Sequence, residues 1–219
     1  MTGIDFAINK KPLSPADFDL AALRKIDNAS GVMHRHLPAI LIVALLLAFR
    51  VAGILFPEAL PNFQPLAAVF FCGALLAPGW RGFALPMGIW AVTYPFGIGP
   101  IYSPSIFATT LLAFVAIFFL GKALIPKGRG ALLLGSVAAA AVFHLITCTA
   151  SWLGDPMLYQ KTLSGFWQSV WTGPAGSTVP SWIFLRNLSA ANLIFTAIFV
   201  VSQVRAPKPE TAGLPIGAE

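Results

Sequence analysis

Charge is what this sequence has least of. Only 10% of its 219 residues are charged, against roughly 25% in a typical soluble domain. The 14 basic and 8 acidic side chains are too few to cover a water-soluble fold of this size, and 57% of the residues are hydrophobic. That disfavours a soluble enzyme, and a disordered chain even more. Cysteine is scarce as well. Cys72 and Cys148 both lie in apolar runs, with no CxxC and no Cys/His metal spacing. Neither a disulfide framework nor a zinc site is indicated. GxSxG, HExxH and P-loop patterns are absent, so no ATP hydrolysis is expected of this chain. The basic residues form no dense patch interleaved with aromatics, which argues against a nucleic-acid partner despite a pI near 9.7.

What is present is apolar length. Mean hydropathy is +0.79, and the sequence divides into six apolar runs. The expectation is an all-α polytopic membrane protein with six transmembrane helices. Residues 1–36 form a polar leader of mixed charge, too long to precede a signal peptide's apolar core. Ser14-Pro15-Ala16-Asp17 resembles a helix start. The transmembrane domain covers 37–204, and 205–219 read as a Pro/Gly-rich disordered tail. Leu37–Phe56 is the clearest span, and it has the roughly 20 residues that a crossing needs. The next run, about Pro65–Pro78, is short for a crossing; a tilt, or extension through Asn62, would lengthen it. The third, about Phe83–Pro100, contains Pro86 and Pro95. The others are about Ser105–Leu124, Ala131–Leu153 and Trp182–Val204. Between the last two, the aromatic stretch Leu163–Trp171 reads as a re-entrant or interfacial helix over the outer mouth.

Charge placement tests the count of six. With both termini cytoplasmic, the inner segments hold Lys10, Lys11, Arg24, Lys25, Arg35, Arg81, Lys122, Lys127, Arg129, Arg205 and Lys208, and the outer loops hold only Lys161. Cationic loops stay in the cytoplasm, so the pattern predicts a multi-pass protein of the bacterial cytoplasmic (inner) membrane.

Every acidic residue lies outside the runs. A pump built on buried carboxylates is therefore disfavoured, as is an intramembrane enzyme, since no nucleophile–base pair or carboxylate cluster is visible. Arg50 either faces an anion or partner within the bundle, or lies near the outer end of its span and reaches the headgroups. His144 shares one helical face with Ser136, Ala140 and Cys148. It either bonds a neighbouring helix, contacts a ligand, or, as the lesser reading, ligates haem or another pigment. No cofactor and no metal is expected. Ala44, Ala48 and Ala52 recur every fourth residue and would let another helix approach, from this chain or from a partner. Asn62, Gln64, Gln168, Asn187 and Asn192 place polar groups near span ends.

Several blocks resemble an uncharacterised family of bacterial six-helix membrane proteins. They are Asn62-Phe63-Gln64-Pro65-Leu66-Ala67-Ala68 with Phe70-Phe71-Cys72-Gly73-Ala74, then Phe143-His144-Leu145-Ile146-Thr147, Trp152, Tyr159 and Thr162-Leu163-Ser164-Gly165, and last Arg186-Asn187 with Asn192-Leu193-Ile194-Phe195-Thr196. The resemblance covers about residues 45–200. That family is similar in size and span count to the S components of energy-coupling-factor vitamin transporters. The resemblance implies a six-helix cup that captures a small molecule from the outer side, with Arg50, Asn62, Gln64, His144, Gln168 and Asn187 as candidate ligand-binding residues. It also implies that Ala44, Ala48 and Ala52 dock a coupling subunit, energy coming from separate ATPase subunits. Two positions depart from the family pattern. Thr93-Tyr94 stands where Ser-Asp is usual, and Cys148 where Asn is usual. Both remove polar groups that would face a ligand. They weigh toward the alternative: a non-catalytic accessory or structural subunit of a larger respiratory or photosynthetic membrane complex.

Overall fold

The computed structural model describes residues 44–49, 51–52, 55–56, 61–77, 79–98 and 103–205. The leader, Arg50 and residues 206–219 of the tail lie outside the described residues. Among the described residues there are helices and no strands. Residues 44–49 are helical, followed by α1 (Leu66–Phe71), α2 (Gly73–Leu76), α3 (Arg81–Ile98), α4 (Pro104–Leu124), a 3-10 turn (Ile125–Lys127), α5 (Arg129–Gly154), α6 (Leu163–Trp171) and α7 (Ser181–Arg205).

Three of these helical stretches are long and apolar enough to cross a membrane: Pro104–Lys127, Arg129–Gly154 and Ser181–Ser202. They point to a membrane protein. Their bounds follow local chemistry. Ser103 is extended and Pro104 opens α4, at the position where a missing N–H costs nothing. Gly128 adopts φ +92°, a left-handed setting that turns the chain from the 3-10 turn into α5. α4 and α5 are therefore antiparallel neighbours. Outward-facing side chains on these helices are large and apolar, with Leu134 78% exposed, which suits a lipid surface better than water.

The second apolar run departs from expectation. It does not extend through Asn62, because Pro61–Pro65 is a turn in which Asn62 takes φ +62°. The helix begins only at Leu66, and at Cys72 it breaks into α1 and α2, six and four residues long. From Leu66 to Leu76 the rise is about 16 Å, roughly half of a 30 Å hydrocarbon core. All six residues of α1 are buried. This short helix is thus the centre of the bundle, surrounded by α3, α4, α5 and α7.

Glycine makes that centre possible. A Cβ on Gly121 would lie 1.8 Å from the Phe71 carbonyl oxygen, so α4 passes against the bare backbone of α1. Gly73 and Gly82 do the same for α2 and α3, each added Cβ falling within 2.3 Å of the other's carbonyl oxygen. Around these contacts the rings of Phe70 and Phe114 stack at 4.1 Å, Phe83 lies 5.3 Å from Phe70, and Trp90 stacks on Phe107 at 4.6 Å. Packed rings of this kind add to the dispersion that must hold helices together where water exerts no drive. Between α5 and α7, the buried Asn192 donates from Nδ2 to the Ser136 carbonyl at 3.1 Å.

The antiparallel order separates two ends. Arg81, Lys122, Lys127 and Arg129, all exposed, lie at the end where α3 and α5 start and α4 stops. The opposite end holds the α5–α6–α7 connections, with Asp155, Lys161 and Arg186.

Candidate functional site

A polar pocket of about 160 Å³ opens at that opposite end, lined by Asn62, His144, Thr147, Cys148, Ser151, Tyr159, Ser169, Ser181 and Phe184. Helical spacing explains four of these nine residues. Positions 144, 147, 148 and 151 fall at i, i+3, i+4 and i+7 of α5, so they form one stripe. The remaining residues come from the turn before α1, the α5–α6 loop, α6 and the start of α7.

α6 forms one wall of the pocket, and its seating is fully specified. Thr162 caps it, its hydroxyl oxygen accepting from Gly165 N–H at 3.1 Å. Gly165 is obligatory, since a Cβ there would lie 2.0 Å from the Gln160 carbonyl oxygen. The loop before it folds on Asp155, whose Oδ1 accepts from Met157 N–H at 2.9 Å and Leu158 N–H at 3.2 Å. Trp152 donates its indole N–H to the Gln160 carbonyl at 2.9 Å, and Lys161 Nζ returns to the Trp152 carbonyl.

His144 fastens α6 to α5. Its Nε2 lies 2.9 Å from the Val170 carbonyl oxygen. A carbonyl only accepts, so Nε2 carries the hydrogen, and in the neutral ring Nδ1 is bare. The Cys148 sulfur sits against the ring, 3.5 Å from Nε2 and 3.8 Å from Nδ1. Nε2 is thus engaged within the protein, and ligation of a haem or pigment through that atom would require the bond to Val170 to open. Among the described residues no group of three or more His, Cys, Asp or Glu side chains converges on a point that a metal could occupy.

The hydroxyls have a common bias. Thr147 donates to the carbonyls of Phe143 and His144 at 3.1 and 3.0 Å. Ser169 donates to those of Phe166 and Cys148 at 2.7 and 3.3 Å. With their hydrogens turned into the backbone, these oxygens present lone pairs to the pocket. Tyr159 is buried beside them. Burial pushes its phenol above the ordinary value, with Cys148 and Asp155 adding to the shift. A neutral phenol is therefore what lines the wall. Thr147 and Ser151 also face a second cleft of about 500 Å³, lined by Ser103, Ser105, Thr109, Thr110 and Asp155 among others. One hydroxyl-bearing edge of α5 divides two cavities.

Of the ligand-binding residues read from the sequence, Asn62 and His144 line the pocket. Gln64 stands behind Asn62, its Nε2 3.4 Å from Asn62 Oδ1. Asn187 is turned away; it donates to the Pro61 carbonyl at 3.0 Å and accepts from Arg186 Nε at 3.2 Å, tying α7 to the turn that carries Asn62. Arg186 lies over the Trp182 ring at 5.3 Å. Gln168 closes the end of α6 by donating to the Gly173 carbonyl at 3.2 Å. Arg50 is outside the described residues. Ala44, Ala48 and Ala52 are exposed.

Sequence reasoning did not single out Thr147, Ser151, Tyr159, Ser169 or Ser181 as pocket residues. Thr147 and Ser151 had a signal, the i+3 and i+7 spacing from His144. Ser169 and Ser181 had none, because only the docking of α6 and α7 brings them to α5. The two departures from the family pattern have visible counterparts. Tyr94 is buried against Trp90 and Phe107, and Cys148 sits on His144 rather than reaching across the pocket.

No characterised protein and no solved structure matches this chain. Its sequence matches a family of unknown function, DUF6580, from residue 32 to residue 210. That stretch takes in the turn at Asn62, the α5 stripe, the α6 wall and the start of α7, and the chain belongs to the DUF6580 family.

Proposed function

We propose that this protein is a non-enzymatic membrane receptor for a small molecule, comparable in role to a transporter S component. It would take the ligand at the hydroxyl-lined end, which the charge pattern of the sequence assigns to the outer side. The observation that carries this reading is the edge of Thr147 and Ser151 shared by two adjoining cavities. Together the cavities fall within the range of about 300–1,000 Å³ usual for small-molecule sites. No Asp, Glu, Lys or Arg lines the smaller pocket, and its hydroxyls offer acceptors. Asp155 lines the larger cleft, so the ligand is a donor-rich molecule without negative charge, such as a polyol or amide. Release and energy would depend on partner subunits, with exposed Ala44, Ala48 and Ala52 as the face for a coupling subunit.

The test is thermal stability of the purified protein in mild detergent across a panel of vitamins, cofactors and polyols. One ligand class should raise the midpoint, and Thr147→Val should abolish the rise without lowering the ligand-free midpoint. No shift with any member would sink the reading.

A second reading, an accessory subunit of a respiratory or photosynthetic assembly, has its own support. Among the described residues the bundle core is filled by rings, Phe114 stacking on Phe70 and meeting Trp90 edge-on, a packing that suits a structural subunit. Co-purification in mild detergent separates the two readings: electron-transfer or pigment-binding chains favour this one, ATPase chains the first.

A further inference from the structure

The basic end carries a feature independent of the pocket. A groove of about 640 Å³ runs between the start of α3 and the end of α4. Its walls are apolar, built by Phe83, Val115, Phe118 and Phe119, and Trp80 and Lys122 stand at its polar rim. Arg81 follows Trp80 in the chain, and Lys127 follows the lining residue Pro126; like Lys122, both are exposed. We propose that this groove binds an anionic phospholipid, with an acyl chain along α4 and the phosphate among Lys122, Arg81 and Lys127.

Three observations select that occupant. First, among the described residues the cations have no acid beside them. Asp155 is the only carboxylate among the described residues, and it lies at the other end of the bundle. Second, the groove pairs those cations with an apolar wall on a helix long and apolar enough to cross a membrane. A free anion would leave that wall uncovered, whereas a lipid brings both a negative headgroup and hydrocarbon at the matching depth. Basic pockets beside membrane helices hold acidic headgroups for this reason. Third, Trp80 is 75% exposed at the rim. An indole is apolar with one N–H donor, which suits the headgroup boundary. The first amides of α3 add a partial positive charge near Arg81.

The test uses the full-length protein in nanodiscs of phosphatidylcholine, with or without phosphatidylglycerol, followed by native mass spectrometry of the lipids retained on release. Phosphatidylglycerol should be retained over phosphatidylcholine. The double variant Arg81→Ala, Lys122→Ala should lose about tenfold in that preference. Lys161→Ala, at the opposite end, should keep it. These side chains are exposed, so the variants should fold, and an unchanged thermal midpoint checks that. Three results would overturn the proposal. The two lipids could be retained equally, inorganic phosphate could displace the lipid as a free anion, or a photo-crosslinker at position 122 could capture a protein and no lipid.

Discussion

The two ends of this bundle are built on opposite principles. Near the basic end, α1 and α2 meet α3 and α4 through glycines, with carbonyl oxygens where side chains would otherwise be. At the hydroxyl end, α5, α6 and α7 meet through polar side chains, and space is left between them. Close backbone packing fixes a half-length helix inside the bundle and allows no adjustment. Hydrogen bonds through His144, Ser169 and Asn187 hold α6 and α7 with individually modest energies. A pocket belongs at the second kind of junction, since ligand sites need groups that are fixed in place yet not fully packed.

The sharpest way to break this contrast is at Gly121. Gly121→Val would drive a side chain into the Phe71 carbonyl. Overpacking against backbone costs about 3 kcal/mol or more. Folded yield and thermal midpoint in detergent should both collapse, and a stable Gly121→Val variant would refute the close contact.

His144→Phe tests the other junction. It keeps the ring volume but leaves the Val170 carbonyl without its donor, a loss of about 1–3 kcal/mol. Amide hydrogen exchange should rise over Leu163–Trp171 and stay unchanged in α4. A uniform rise would mean the two ends are not separable.

Asn62 divides backbone from side chain. Its left-handed φ of +62° is tolerated by asparagine and glycine but costs alanine about 1 kcal/mol. Asn62→Ala should lower the midpoint and Asn62→Gly should restore it. If the side chain also serves the pocket, the glycine variant still loses ligand binding.

The smallest effect is at Tyr159. Burial raises its pKa in the folded state above the ordinary tyrosine value of about 10. The unfolded chain then releases the proton first, so stability is complete below about pH 10 and falls as pH rises toward the raised folded value. Tyr159→Phe should remove that decline between neutral pH and pH 11, measured by denaturant unfolding.

The long elements were legible in the sequence, and the junctions were not. The limits of α4, α5 and α7 follow from apolar length and from residues such as Pro104 and Gly128, so they agree with the sequence reading to within two residues. α6 was legible at Leu163–Trp171 because its aromatic stretch stands apart from the polar loop. The break at Cys72 was not readable, since Leu66–Leu76 is apolar throughout and only its neighbours decide whether it crosses or stops. The site divides the same way. Asn62 and His144 stood out as polar groups in apolar surroundings. Asn187 and Gln168 stood out equally but are engaged with backbone carbonyls, a distinction that depends on which chain segment lies beside them.

The sequence by itself determined that this is an apolar helical chain with its basic residues near helix ends, because hydropathy and charge act locally and need no partner. It also determined membership in its family, through the blocks around Asn62, His144 and Arg186. Only the tertiary structure decided that α1 is a buried half-length helix, that Thr147, Ser151, Ser169 and Ser181 share a pocket, and that Lys122 and Trp80 share a groove. Each of those depends on residues distant in sequence meeting at a few ångströms, and the glycine contacts and interhelical hydrogen bonds set those distances.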